Sequence, residues 1–195
     1  MSLTESTMLP LGTRAPSFHL VNIDEKRVRL EDYRGHTAYC VMFLCNHCPY
    51  VIHLRKAIAS LAREYRERRV AFFAISSNDV EAYPQDSPSR MAAVAREEGF
   101  IFPYLYDSSQ AIAIAYQAAC TPDFFVFDRD MLLTYRGQFD NSRPGNDTPV
   151  NGADLRLALD LAIEGKRIPD RKQRPSMGCN IKWKPGNAPA YFTGG

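Results

Sequence analysis

The run TAYCVMFLC, Thr37–Cys45, is almost continuously apolar and rich in β-forming residues. A strand covered on one face alternates apolar with polar side chains, whereas an unbroken run suits a strand buried on both faces. It therefore predicts a central strand with structure packed above and below it. Val51, Leu54, Ile58, Leu61 and Ala62 then recur at helical spacing through YVIHLRKAIASLAREYRERR, with basic residues gathering toward the end that the helix dipole favours. VAFFAISSN, Val70–Asn78, supplies a second buried strand. Strand, helix and strand form a unit whose crossover favours parallel pairing with a right-handed connection.

The flanking segments extend this pattern. FHLVNI and VRLEDY, separated by the polar DEKR, predict a hairpin ahead of the main body. YPQDSPSR reads as a turn-rich loop, and SRMAAVAREEG as a short helix capped by Ser89 and ended by Gly99. FPYLYDSS predicts a short strand, QAIAIAYQAA a helix, DFFVFDRDMLLTYRGQF two strands turning at DRDM, and GADLRLALDLAIEGKR the last helix. Such alternation, ending in an antiparallel pair and a helix, predicts an α/β sandwich with a mixed central sheet. A chain of 195 residues with 45% hydrophobic content suits one core, assigned to residues 1–167. Residues 168–195 carry prolines, glycines and scattered aromatics without a sustained period, and read as a C-terminal tail that either lies over the domain or is mobile.

A net charge of +2 gives no basic excess of the kind nucleic-acid binding demands, so no nucleic-acid partner is expected. No apolar stretch is long enough to cross a bilayer, and MSLTESTMLPLGTRAP lacks the pattern of a signal peptide. A cytoplasmic location without membrane contact is the resulting expectation. There, close cysteine pairs are more often catalytic or metal-binding than structural, and five cysteines argue against a disulfide-stapled fold.

The pair that matters is in Cys45-Asn46-His47-Cys48. At the start of a helix, Cys45 is expected to meet unpaired N–H groups and the positive end of the dipole, both of which favour a thiolate. Cys48 lies within reach as a resolving thiol, and His47 is a candidate to stabilise the Cys45 thiolate as a cation or donor. Pro49 suits the first helical turn, where its missing N–H has no intrahelical acceptor. Two other readings compete: small buried thiols in a strand end, and a zinc site built from Cys45, Cys48 and His47 or His53 with Cys179 closing it. No second close Cys/His pair follows at zinc-ribbon or zinc-finger spacing, so no metal ligand is assigned and no cofactor is expected.

Three motifs together resemble the thioredoxin-like superfamily, in its redoxin branch related to alkyl hydroperoxide reductase and thiol-specific antioxidant proteins. LGTRAPSFHL is similar to the opening of that branch, CNHC sits at the strand-to-helix position of the thioredoxin motif, and CTPDFFVFD resembles the Thr-Pro loop before a strand. The resemblance implies a thioredoxin-like three-layer sandwich with an N-terminal β-hairpin. It also implies a cis Pro122, with the Thr121 backbone facing the cysteines and able to pair with an extended substrate segment. Leu44 stands where thioredoxins carry tryptophan and Tyr39 where they carry a buried acid, which leaves His47 as the candidate proton acceptor for Cys48. Cys120 and Cys179 are candidate additional redox thiols; burial at a helix end and packing against Trp183 are their simpler readings, and Cys40 reads as core. Arg143 is a candidate rim contact.

The leading functional expectation is a thiol-disulfide oxidoreductase that cycles Cys45 and Cys48 with a protein or low-molecular-weight thiol or disulfide as partner. The alternative is a peroxiredoxin-like peroxidase acting on peroxide, since that family places its reactive cysteine where Cys48 falls. Here Cys45 replaces the threonine common in that family, the usual upstream proline is missing, and Cys45 or Cys179 would resolve the sulfenic acid. A third reading is a non-enzymatic thioredoxin-fold module that binds metal through CNHC or makes protein contacts.

Overall fold

The computed structural model describes residues 3–192. In chain order its strands are β1 (Leu3–Glu5), β2 (His19–Asn22), β3 (Arg27–Arg29), β4 (Ala38–Phe43), β5 (Val70–Ser76), β6 (Tyr104–Tyr106), β7 (Cys120–Thr121), β8 (Asp123–Asp128), β9 (Leu133–Gly137) and β10 (Met177–Asn180). The helices are α1 (Pro49–Tyr65), α2 (Pro88–Glu98), α3 (Ala111–Ala115) and α4 (Ala153–Ile163).

Seven strands form a mixed sheet in the order β3-β2-β6-β5-β4-β8-β9. β4 runs parallel to β5, and β5 parallel to β6, while β8, β9, β2 and β3 join antiparallel. The apolar run around Cys40 thus occupies a central strand, and every residue of β4 is buried. Its alternating side chains divide between two cores. Ala38, Cys40 and Met42 face the apolar sides of α1, α2 and α4, whereas Tyr39, Val41 and Phe43 face α3 and the N-terminal segment with Leu9 and Phe18. This is the three-layer α/β sandwich, and β2 with β3 is its N-terminal hairpin.

Local chemistry moved some boundaries. Only Ala111–Ala115 of the expected 110–119 helix is α-helical, with Gln110 and Gln117 in the left-handed region. Asp107 Oδ2 accepts the N–H groups of Ile112 and Ala113, and the Gln110 amide donates to the carbonyls of Ser77 and Lys182. Gln110 is therefore committed to long-range bonds in place of helix continuation. α2 starts at Pro88 with Ser87 as its N-cap, ahead of the expected Ser89, because proline suits the first helical position.

A second, three-stranded sheet in the order β1-β10-β7 covers one end of the molecule. Its middle strand comes from the segment that sequence patterning left without regular structure. β10 is too short to carry a readable period, and pairing on both sides supplies what periodicity does not. Among the described residues, no helix is long and apolar enough to cross a membrane.

Candidate redox-active site

β4 ends at Phe43, and the turn to α1 holds Cys45 and Cys48 beneath the Thr121-Pro122 loop, whose peptide bond is cis. Cys48 is the N-cap of α1: its backbone is extended, and its carbonyl accepts the N–H groups of Val51 and Ile52 at 3.0 Å. Cys45 Sγ lies 3.2 Å from Thr121 Oγ1. Cys48 Sγ lies 3.1 Å from the Thr121 carbonyl oxygen and 2.9 Å from Cys179 Sγ. Three thiols thus meet around one threonine, and all three residues are buried.

The electrostatics distinguish the three sulfurs. The Cys179 thiol, the Cys45 thiol and the backbone N–H groups of Cys179 and Val51 hold Cys48 far below the usual thiol range, against the opposing effect of burial. Donation to Cys48 and burial push Cys45 up, and the Asp86 carboxylate adds to this. Cys179 is raised for the same first two reasons. The Thr121 carbonyl favours a protonated Cys48, which can donate to it, and so offsets part of the depression. Helix-start donors expected at Cys45 are therefore received by Cys48, because the chain must turn through Asn46 and His47 before helical N–H groups become available.

His47 is engaged elsewhere. Its Nδ1 lies 2.7 Å from Asp86 Oδ2, and its ring stacks on Tyr83 with centroids 5.7 Å apart. Asp86 is fully buried and also accepts the Asn46 N–H at 2.8 Å and Asn78 Nδ2 at 2.7 Å. The side-chain donor atoms of Cys45, His47 and Asp86 lie within 4.8 Å of one another. This is the one cluster of metal-ligand type among the described residues. Within it His47 and Asp86 are already paired by a short hydrogen bond, and Cys48 and His53 are not part of it.

Residues 11–136 match the family model described as AhpC/TSA family. The chain belongs to the AhpC/TSA family. It is 53% identical to an uncharacterized conserved protein from Geobacillus kaustophilus, whose crystal structure superposes with a TM-score of 0.92 over 95% of this chain and 98% of that one. A Mycobacterium tuberculosis protein bearing a peroxiredoxin name is 28% identical over 116 residues, which is 60% of this chain and 69% of that protein. A thiol:disulfide interchange protein of the thioredoxin family from Chlorobium tepidum shares the fold at 20% identity, with a TM-score of 0.61 over 78% of this chain and 97% of that one. The family points to oxidoreductase or peroxidase chemistry.

In this AhpC/TSA chain the remaining candidates separate clearly. Cys120 is buried in β7 with its thiol 3.6 Å from the Pro122 carbonyl, and burial pushes its pKa up; Cys40 lies in the core with the same effect. Arg143 bonds the carbonyls of Asp140 and Ser142 and the Gln138 side chain, so it organises its own loop while lining a crevice beside Pro122 and Met177. Spacing along the chain identified neither buried acid of the site. Asp86 lies in a turn far from CNHC in sequence, and Asp123 directly follows Pro122. Asp123 is pushed up to about 7 by burial. Ser6 and Ser176 lie close enough to temper that shift, but neither carboxyl oxygen has a partner in hydrogen-bond geometry. Tyr39, at the position of the thioredoxin acid, packs in the core on the far side of β4 from the cysteines.

Proposed function

We propose that the protein is a thiol-disulfide oxidoreductase whose redox pair is Cys45 and Cys48, with Cys48 as the resting thiolate. The observation that carries this reading is the convergence of donors on Cys48 Sγ at a helix N-cap, with a second thiol in the same turn and a cis-proline loop against both. Cys48 attacks a disulfide RSSR, forming a mixed disulfide and releasing one thiolate. Cys45 loses its proton to that thiolate, attacks Cys48 Sγ and expels the second thiolate. Two protein thiols are oxidised and one disulfide is reduced. The His47–Asp86 pair beside Cys45 is placed to assist its deprotonation. The partner is a protein or low-molecular-weight disulfide, and five thiols suit a reducing compartment such as the cytoplasm.

Insulin reduction coupled to a dithiol tests this. Activity should vanish in Cys48→Ser and fall sharply in Cys45→Ser, which lacks the resolving thiol; undiminished turnover in Cys48→Ser would overturn the reading. A peroxidase reading draws on the same feature, the Val51 N–H of the helix start beside Cys48 Sγ. In that case Cys48→Ser abolishes peroxide consumption, and wild-type protein passes through a sulfenic acid on Cys48.

A further inference from the structure

β10 lies where a substrate segment would lie if it paired with the Thr121 edge. It runs antiparallel to β7, with Cys179 opposite Thr121 and Asn180 opposite Cys120. The fit is close: a Cβ on Gly178 would stand 2.0 Å from the Thr121 carbonyl oxygen and 3.2 Å from Pro122 Cδ. Only a residue without a side chain lets the strand lie this near the loop. Both ends are secured, by Ser6 N–H to the Ser176 carbonyl on one side and Ile181 N–H to the Ala119 carbonyl on the other. The result is a Cys179 sulfur 2.9 Å from Cys48 Sγ, in the position a substrate cysteine would take. A small apolar residue would fill this space equally well, but it would not bring sulfur to sulfur.

We propose that β10 is a built-in pseudosubstrate strand: Cys179 closes a disulfide with Cys48 that latches the tail over the site, and Cys45 opens the latch by displacing Cys179. The inference rests on the redox reading of Cys48 given above. The oxidant that loads it is a low-molecular-weight disulfide RSSR. Cys48 attacks one sulfur and RS⁻ leaves; Cys179 gives its proton to that RS⁻, attacks Cys48 Sγ and expels the second RS⁻. Opening is isoelectronic. The Cys45 thiolate attacks Cys48 Sγ, the Cys48–Cys179 bond breaks, and the departing Cys179 thiolate takes up the proton that Cys45 lost. With Cys179 released, the edge of Thr121 becomes available to an external strand.

The test uses the full chain carrying Cys45→Ser, treated with oxidised glutathione, alkylated and mapped by mass spectrometry; Cys45→Ala substitutes if the serine variant does not fold. The expected product links Cys48 to Cys179, with Cys40 and Cys120 alkylated. A persistent glutathione adduct on Cys48 with Cys179 alkylated would overturn the latch while leaving the redox reading intact. No reaction at Cys48 would overturn both. Adding Gly178→Ala should slow the cross-link about a hundredfold, because a misplacement of about 1 Å has that effect on an oriented pair. An unchanged rate would refute the role of the strand in presenting Cys179.

Discussion

At the scale of single residues, His47 bears on the chemistry of the site and Asp123 on the stability of the strand that follows Pro122. His47 bonds Asp86 and lies beside Cys45, so its proposed effect is on resolution and not on ionisation of Cys48. His47→Ala should lower kcat/KM for insulin reduction by about a hundredfold, at the low end of what general-base contributions reach. The pH profile of Cys48 alkylation should stay unchanged, and a shift in that profile would place His47 on the other thiol. Asp123 gives a stability prediction. Its folded pKa of about 7 stands above the ordinary value of 3.8, so its contribution to stability is full below pH 3.8 and is lost as pH rises through 7. Asp123→Asn, which mimics the protonated acid, should stabilise the fold at pH 8 by roughly 2–4 kcal/mol relative to wild type and change little at pH 3.5. Chemical denaturation at the two pH values checks this. The cysteines were legible from spacing because a strand-to-helix turn holds both, but Asp86 was not, since its bonds to this turn span 39 and 40 residues of sequence.

Among the elements, those with long periods were readable and those fixed by long-range bonds were not. α1 follows from Val51, Leu54, Ile58, Leu61 and Ala62, which are all buried, and β4 and β5 from apolar runs buried on both faces. β10 and the shortened α3 depend on partners far away in sequence. Asn78 is the clearest link between them and the site: its Nδ2 donates to Asp86, and its Oδ1 accepts the Lys182 N–H that follows β10. Asn78→Ala removes both bonds and leaves a buried N–H without its acceptor. The expected loss of stability is about 1–3 kcal/mol. Hydrogen exchange at Lys182 should accelerate, together with loosening of the Pro84–Asp86 turn. Equal exchange in variant and wild type would show that Asn78 does not help to hold the tail.

Across the whole molecule, two sheets of unequal depth divide stability between them. The seven-stranded sheet is covered on both faces, and β4 and β5 are buried along their whole length. Their amides should exchange only through global unfolding, as is usual for core strands. The β1-β10-β7 sheet is small, and β1 presents exposed residues at both of its ends. It has the features of a unit that opens locally at lower free energy while the main sheet stays intact. The redox state of the tail should decide how often it opens. In glutathione-oxidised Cys45→Ser protein, the amides of Cys179 and Ile181 should exchange about tenfold or more slowly than in the reduced protein, because a cross-link to Cys48 restricts the open ensemble. Those of β4 and β5 should change little. Mass-spectrometric exchange across both states measures this, and equal rates at Cys179 and Ile181 would show that the strand stays closed without its disulfide. Slowing confined to the tail would identify β10 as the moving part that grants access to Thr121 and the buried thiols.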